Sequence, residues 1–333
     1  METKKLKDVL LKIMPAIDNN NIIDETNCVN FTGTHIFATN GKIYISIPFE
    51  TEFKVSVMFN VLFKFLNKIK KDEIDFISND ENLIIKAGKH KLTLQKYNLN
   101  ENKYINQKFN FNDLPNDFID AIKTTMSCCS LDDQLRLFTK CLHINKNFIL
   151  TTDGKRMCKY TLDKEINDEL YIDISTIKSL LCINNINKYC ITNTNIIFTN
   201  DENLLFICNT IDTTFPDFEE VFKLNNKKEL LFPDDITQLI ELCTILKNKN
   251  IDDNIFFTNL QFSVGKLIIS CINESAKLET IIKNDCFTEN ISFNINPFLL
   301  LDILKKSYNK IYYDDNKIIF ENDKYKYVIA LIK

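Results

Sequence analysis

Apolar residues recur at helical spacing in six stretches of the chain, and short stretches that alternate apolar and polar positions lie between them. A spacing of three and four residues places apolar side chains on one face of a helix, whereas alternation is typical of half-buried strands. The six apolar faces are Leu6, Val9, Leu10, Ile13 and Ile17; Val61, Leu62, Phe65, Leu66 and Ile69; Phe118, Ile122 and Met126; Ile174, Ile177, Leu180 and Leu181; Ile236, Leu239, Ile240 and Cys243; and Leu300, Leu301 and Leu304. The pattern predicts an α+β fold with two amphipathic helices in each third of the chain.

A pattern of strand, polar turn and strand occurs three times. Residues 76–85 read Phe-Ile-Ser-Asn-Asp-Glu-Asn-Leu-Ile-Ile, and similar segments occur at 198–206 and 313–320. The dipeptides Asn40-Gly41 and Asp153-Gly154 follow β-rich stretches in the first and middle thirds, and both favour hairpin turns. Several matches in the same order indicate an internal repeat.

The repeat divides the chain into three units of about 110 residues. We predict domains at 1–106, 107–223 and 224–333, because the junctions then fall in the polar stretches 98–108 and 223–229. In each domain, two helices are expected to pack against antiparallel sheets.

The composition narrows the classes of function. A net charge of −4 excludes a uniformly basic protein that coats nucleic acid, although it is compatible with a locally basic surface. The five glycines are too far apart for a Walker loop or a GxGxxG turn, so no nucleotide cofactor is expected. Eleven cysteines without a CxxC spacing indicate a reducing compartment, and no signal peptide or membrane span is expected. We expect a cytoplasmic protein of a cell or phage-infected host, or of an organelle, with an AT-rich genome.

Four segments carry a resemblance to a known family. Residues 151–157 read Thr-Thr-Asp-Gly-Lys-Arg-Met, and residues 211–218 contain Phe-Pro-Asp-Phe. They resemble the Ala-Thr-Asp-Gly-His-Arg-Leu strand end and the Phe-Pro-Asp-Tyr junction of the bacterial-type sliding clamp, the beta subunit of DNA polymerase III. Residues 291–302 resemble the family's strand-to-helix segment, and residues 327–333 resemble its terminus without the usual Met-Pro. The resemblance spans the whole chain.

The resemblance implies a DNA clamp fold in which two protomers of three domains close head to tail into a ring around duplex DNA. Helices would line the hole, and the ring would tether a replicative polymerase without reading sequence. A clamp loader would bind the ATP, so this chain would have no catalytic residues, cofactor or metal. An alternative with the same fold is an interaction scaffold that does not encircle DNA.

The candidate DNA-lining residues are cations opposite the apolar helix faces. They are Lys5, Lys12, Lys64, Lys68, Lys71, Lys123, Lys178, Lys247, Lys305 and Lys306, together with Arg136. A solvated helix face is the alternative for each lysine, and Arg136 could instead pair with Asp132 or Asp133.

Only two of the basic residues are arginines, Arg136 and Arg156, and the planar guanidinium offers hydrogen bonds that lysine cannot reproduce. By resemblance, Arg156 belongs to a pocket that receives short peptides from the polymerase, the loader and other partners. The expected pocket residues are Phe138, Thr152, Gly154, Lys155, Arg156, Met157, Val328 and Ala330. An ion pair within the domain is the alternative for Arg156.

The homodimer is expected to close through sheet edges of the first and last domains. Leu92 and Leu94 on a predicted strand, and Ile245 and Leu246 at the end of a predicted helix, match contact positions of the family. Core packing is the alternative for each of them.

Two further interpretations come from short motifs. Ser175 and Lys178 have the SxxK spacing of a serine acyltransferase, but companion motifs are missing and Ser175 is expected to cap a helix. Residues 134–138 read Gln-Leu-Arg-Leu-Phe, the QLxLF type of peptide that clamps bind. That motif would make the chain a clamp ligand, although we predict a strand there because Leu135 and Leu137 alternate with polar residues.

Overall fold

The computed structural model describes residues 1–18, 24–99, 104, 107–132, 134–247, 256–285, 287–288 and 290–332. Helices and antiparallel strands make up these residues, which confirms the α+β fold class. They form two compact units, Met1–Asn116 with Ile172–Ile211 and Asp117–Tyr171 with Asp212–Lys333.

All six predicted helices are present. In chain order they are α1 (Thr3–Ile13), α2 (Phe59–Lys68), α3 (Phe118–Thr125), α4 (Ile174–Leu180), α5 (Ile236–Thr244) and α6 (Pro297–Leu304). In α1 the side chains of Leu6, Leu10 and Ile13 are buried, as their spacing predicts. Asn296 caps α6 by accepting hydrogen bonds from two backbone N–H groups, and Pro297 occupies the first helical position. None of the described helices is long and apolar enough to cross a membrane.

The strands pair in antiparallel ladders throughout the described residues. The first are β1 (Cys28–Thr32), β2 (His35–Thr39), β3 (Ile43–Pro48), β4 (Lys54–Met58), β5 (Asp75–Ser78), β6 (Asn82–Ala87), β7 (His90–Gln95) and β8 (Asn112–Asp113). Then follow β9 (Cys141–Thr152), β10 (Arg156–Asp173), β11 (Lys188–Ile191), β12 (Asn195–Thr199), β13 (Leu205–Asn209) and β14 (Lys228–Glu229). The last are β15 (Thr258–Ser263), β16 (Lys266–Ile272), β17 (Lys277–Lys283), β18 (Ile291–Ile295), β19 (Lys310–Tyr313), β20 (Lys317–Glu321) and β21 (Tyr325–Ala330). The three repeated segments are the hairpins β5–β6, β12–β13 and β19–β20, as predicted.

The first unit contains two sheets. Its larger sheet has the strand order β4-β1-β2-β3-β13-β12-β11-β8, and its smaller sheet has the order β5-β6-β7. Helix α1 contacts α2 and the strands β2 and β3. Leu6, Phe31, Ile45 and Leu62 are fully buried, so the helices and the larger sheet contribute to the core.

The second unit also contains two sheets. One has the order β14-β19-β20-β21-β10-β9, and the other has the order β17-β16-β15-β18. Helix α5 contacts α6, and α3 contacts β9. Because β10 pairs with β21, Met157 lies opposite Val328 although the two strands come from different thirds of the chain.

The two units divide the middle third of the chain between them, since residues 117–171 belong to the second unit and residues 172–211 to the first. The proposed junction at Asn106 lies outside the described residues. The division into domains at 1–106, 107–223 and 224–333 stays a prediction.

The strand predicted for residues 134–138 is wrong. Residues 134–136 form a turn and loop, and a short 3-10 helix, Leu137–Lys140, follows. The Asp132 carboxylate accepts a hydrogen bond from the Gln134 N–H at 2.9 Å, and the Arg136 carbonyl accepts one from the Thr139 hydroxyl at 2.7 Å. These local hydrogen bonds replace ladder bonds, which explains why alternation alone misled the prediction.

Candidate functional site

The hairpin between β9 and β10 positions the residues at the centre of the candidate site. The Asp153 carboxylate accepts hydrogen bonds from the backbone N–H groups of Lys155 and Arg156, both at 3.0 Å. The Thr152 hydroxyl donates to the Arg156 carbonyl at 2.7 Å and accepts from the Gly154 N–H at 3.1 Å. Gly154 has a φ of +88°, a conformation that costs little only in glycine. The turn therefore fixes where the Arg156 side chain begins.

The Arg156 guanidinium is held on every side. Its Nε donates to Asp153 at 2.9 Å, and its Nη1 donates to Oδ2 of Asp302 and to the Tyr327 hydroxyl, both at 3.0 Å. Its Nη2 donates to the Ser127 carbonyl at 2.5 Å. The side chain is only 14% exposed, so the planar fork is largely buried, and it donates four hydrogen bonds. The ion pair that was considered as an alternative for Arg156 is present.

Asp302 on α6 shares this network with two more groups. The Tyr327 hydroxyl donates to Asp302 Oδ2 at 2.9 Å, and the Lys306 ammonium lies 3.3 Å from the same oxygen. Burial opposes ionisation of Asp302, but Lys306 and Arg156 outweigh it and lower the pKa of this carboxyl. Burial raises the pKa of Tyr327 well above its ordinary value, so the phenol stays protonated and able to donate.

A cavity of about 510 Å³ opens beside Arg156 within the second unit. All eight predicted pocket residues line it, and the lining also includes Pro216, Glu220, Val221, Asn316 and Lys317. Met157 is 6% exposed and Val328 is 3% exposed, so this register pair forms a buried apolar floor. An apolar cavity with a few fixed polar groups is the usual form of a ligand site.

Sequence reasoning missed five lining residues, but signals for some of them were present. Pro216 lies within the Phe-Pro-Asp-Phe motif, and Asn316 lies in the turn of the third repeated hairpin, with Lys317 directly after it. Glu220 and Val221 belong to a 3-10 helix, Glu219–Phe222, which no periodicity revealed. Whether these two residues line the cavity depends on the path of the chain after Pro216.

An aromatic stack fixes the position of Phe215, at the start of this segment. The ring of His143 lies between the rings of Tyr171 and Phe215, with centroids at 4.7 Å and 5.2 Å. Phe215 also contacts the pocket residue Phe138 in an edge-on arrangement at 5.4 Å. His143 Nε2 contacts Glu169 Oε1 at 2.7 Å. Burial lowers the pKa of His143 despite this carboxylate, so the ring is neutral near pH 7.

The predicted DNA-lining cations lie on helices or within three residues of a helix end, apart from Arg136 in its exposed loop. Exposed side chains are those of Lys5, Lys64, Lys68, Lys71, Lys123, Lys178 and Lys305, and half-buried ones are those of Lys12, Lys247 and Lys306. Lys12 pairs with Glu202 at 3.4 Å, and Lys305 pairs with Glu241 at 3.5 Å. Lys306 donates to Ser127 Oγ at 2.7 Å as well as approaching Asp302.

The predicted dimer residues differ in exposure. Ile245, just after α5, is 72% exposed, and Leu246 is half-buried. Leu94 on β7 is 5% exposed and pairs in register with Leu83, whereas Leu92 is half-buried. Strands β7 and β17 each lie at the edge of their sheet.

The SxxK interpretation gains no support from the geometry around Ser175. Asp173, rather than Ser175, is the N-cap of α4, and its carboxylate accepts from the Ser175 N–H at 2.8 Å and from the Ser175 hydroxyl. The cap prediction for Ser175 is therefore wrong by two positions. Within the described residues, no group of three His, Cys, Asp or Glu side chains could hold a metal.

Comparisons with known proteins point to one fold. No protein-family model matches the chain, and no curated protein matches it. The DNA polymerase III subunit beta of Pseudomonas aeruginosa is similar at 18% identity, with a TM-score of 0.84 over 100% of this chain and 99% of that one. The DNA polymerase sliding clamps of Bacillus subtilis and Caulobacter crescentus are each 15% identical over 100% of this chain and 98% of theirs, with TM-scores of 0.84 and 0.83. The chain therefore has the fold of the bacterial DNA polymerase III beta clamps.

Proposed function

We propose that this chain is a DNA polymerase processivity factor, a homodimeric ring that encircles duplex DNA and tethers a replicative polymerase. The observation that carries the proposal is the match of the whole chain to clamp structures, with a TM-score of 0.84 over 100% of its length. The match includes all three repeated thirds, which supports a ring of three-domain protomers. The ring would act in the cytoplasm of a cell or phage-infected host, or in an organelle with an AT-rich genome.

Helix cations would hold the DNA without reading its sequence. Lysines on or after the helices offer charge to phosphates, and an ammonium on a flexible stem selects no base. The ring would stay on DNA because it is closed, so the contacts need to supply little affinity. An acidic chain with lysines grouped on helices is compatible with this arrangement.

The cavity beside Arg156 would bind short peptides from the polymerase and from an ATP-dependent loader. Its floor is apolar, and the guanidinium of Arg156 is already paired and needs no reorganisation when a peptide arrives. The chain itself would catalyse no reaction, because its role is to bind two kinds of partner at once.

Two sheet edges are available for closing the ring. Among the described residues, strand β7 in the first unit and strand β17 in the second each have a neighbour in their sheet on one side only. Pairing of β7 with β17 of a second copy would repeat twice in a two-protomer ring, and Ile245 would be covered there.

Solution mass tests ring closure first. Light scattering across a concentration series should give a mass near twice 39.0 kDa. The protein, loaded by its own loader onto a nicked circular plasmid, should then co-elute with the plasmid and leave when a restriction enzyme linearises it. A protein that remains on linear DNA as well as on circles would contradict a topological link.

The lining lysines have a matched control. Replacing Lys64, Lys68 and Lys71 with Gln should reduce processive synthesis, because phosphate screening inside the ring would fall. Replacing the exposed Lys42, Lys54 and Lys86 of the same unit with Gln should not. If both variants were as processive as the wild type, α2 would be excluded from the lining.

A scaffold that binds proteins without encircling DNA is the second candidate. It is favoured by the ion pairs of Lys12 and Lys305 and by the internal hydrogen bonds of Lys306, which use positive charge within the chain. A monomer at every concentration, combined with peptide binding, would support this candidate.

A further inference from the structure

The wall of the peptide cavity is held by a residue from another part of the chain. Lys317 is the first residue of β20, and its Nζ donates to the carbonyl of Val221 at 2.9 Å and to that of Glu220 at 3.1 Å. Lys317 lies 96 residues after Val221 in the sequence. The contact therefore joins the segment that follows Pro216 to the sheet of the second unit that contains β20.

The two carbonyls belong to the last turn of the 3-10 helix Glu219–Phe222. Carbonyls at the end of a helix lack partners within the helix, and a cation at that end also complements its dipole. The Glu220 carbonyl accepts only one backbone hydrogen bond that the structure describes, from the Lys223 N–H at 3.3 Å. Lys317 thus supplies hydrogen-bond donors and a positive charge at the end of this helix.

The same short helix supplies Glu220 and Val221 to the cavity, and Lys317 lines the cavity beside them. A shift of the helix away from β20 would widen the cavity and move Val221 away from its lining. We propose that Lys317 is a positioning residue of the pocket, which holds the wall Glu219–Phe222 against β20 in the geometry that a partner peptide needs. This inference rests on the proposed function of the cavity as a peptide site.

The opposite end of the wall has its own attachments. Phe215 stacks on His143, and Glu219 pairs with Lys159 at 3.3 Å. Loss of the Lys317 ammonium should therefore loosen the end of the helix without unfolding the segment. An arginine at the same position can donate to both carbonyls, whereas a methionine keeps the apolar stem and has no donor.

Three variants test the role. Lys317→Met removes the donors, Lys317→Arg restores them, and Lys310→Met replaces an exposed lysine on the neighbouring strand β19 as the control. The probe is a fluorescein-labelled Gln-Leu-Ser-Leu-Phe peptide measured by anisotropy with the full-length protein. We expect Lys317→Met to bind about tenfold more weakly, and Lys317→Arg and Lys310→Met to bind within about twofold of the wild type.

Two measurements without peptide accompany the binding curves. Hydrogen exchange of the Val221 and Lys223 amides should be faster in Lys317→Met than in the wild type, since both amides donate within the wall. Solution mass and Tm should stay close to the wild-type values in all three variants.

The outcomes separate this inference from the proposed function. Equal peptide affinity of Lys317→Met and the wild type would overturn the role of Lys317, as would a loss that Lys317→Arg fails to rescue. If the wild type binds no peptide, the peptide site is wrong, and the amide exchange decides: unchanged exchange in Lys317→Met overturns the positioning role as well, and faster exchange supports it.

Discussion

The hairpins β2–β3 and β9–β10 use the same turn, and residues of the second one line the cavity beside Arg156. In each, an Asx side chain accepts two backbone N–H groups, and a threonine hydroxyl donates to the carbonyl four residues on, Thr39 to Ile43 at 2.9 Å and Thr152 to Arg156 at 2.7 Å. Both glycines have positive φ angles, +83° for Gly41 and +88° for Gly154.

The residue after the turn makes the difference. In the first hairpin it is Ile43, a buried aliphatic side chain, and the Asn40 amide donates to the Pro15 carbonyl at 3.2 Å. In the second it is Arg156, and Asp153 pairs with its guanidinium. The repeated backbone thus supports packing in one hairpin and a polar network in the other, and two side chains decide which.

The largest effect should come from breaking the polar network at its centre. Arg156→Ala leaves Asp153 and Asp302 without their shared cation, and we expect a loss of about 2–4 kcal/mol in the free energy of unfolding. Peptide binding should be lost with it. Urea denaturation and anisotropy measure the two effects.

Arg156→Lys and Arg136→Ala are the companion variants. Lysine cannot reach Asp153, Asp302 and Ser127 together, so it should restore only part of the stability. Arg136 is exposed in a loop, and its removal should change stability by less than about 0.5 kcal/mol. Full stability of Arg156→Lys would contradict the requirement for a planar fork.

The two glycines provide a matched pair for separating turn geometry from function. Gly41→Ala and Gly154→Ala should each destabilise the protein by about 1–2 kcal/mol, because alanine is strained at positive φ. Both sites have space for a Cβ, so no steric clash adds to this strain. Only Gly154→Ala should also weaken binding of the labelled peptide, since Gly154 lines the cavity. An equal loss of peptide affinity in both variants would show that the effect is not local.

The smallest effect should be a pH dependence of stability and peptide affinity that differs between β2 of the first hairpin and β9 of the second. Burial lowers the pKa of both His35 on β2 and His143 on β9. As pH falls from the ordinary histidine value of 6.5 through the lowered folded value, the unfolded chain binds protons that the folded chain does not. Stability is therefore fully present above that range and decreases across it.

His143→Gln and His35→Gln should each make the fall of Tm between pH 7.5 and 5.5 shallower. Only the wild type and His35→Gln should also lose peptide affinity over this range, because protonated His143 would lie between Tyr171 and Phe215 and disturb the start of the cavity wall. Glu169 is the carboxylate that faces this ring, and it remains ionised throughout the range, since its pKa is lowered by the Tyr171 hydroxyl and by His143. A His143→Gln protein whose affinity still falls with pH would exclude this ring as the cause.

The sequence allowed prediction of those features that depend on local pattern. Helices such as α1 and α2 follow from the spacing of residues that end up buried, and the hairpins follow from Asn-Gly, Asp-Gly and the repeated polar turns. Seven of the eight pocket residues lie in segments that resemble the clamp family and Phe138 was placed by alignment, and all eight line one cavity.

Features that depend on distant parts of the chain were not predictable. Nothing local indicates that Asp302 pairs with Arg156 or that Lys317 meets Val221, since the partners are 146 and 96 residues apart in the sequence. The loop at residues 134–138 escaped prediction for a related reason, because short-range hydrogen bonds of Asp132 and Arg136 outweighed the alternation.

The hydrogen bond from Arg156 to Tyr327 spans 171 residues and has a consequence for synthesis of the protein. A nascent chain that has reached β10 contains the turn, Arg156 and half of the apolar floor, but β21 is synthesised only after all the other strands. Until then Arg156 has no Tyr327, Met157 has no Val328 opposite it, and the cavity does not exist. Formation of this cavity is therefore a late event in the folding of the chain, because a segment that lacks β21 cannot offer the cavity to a ligand.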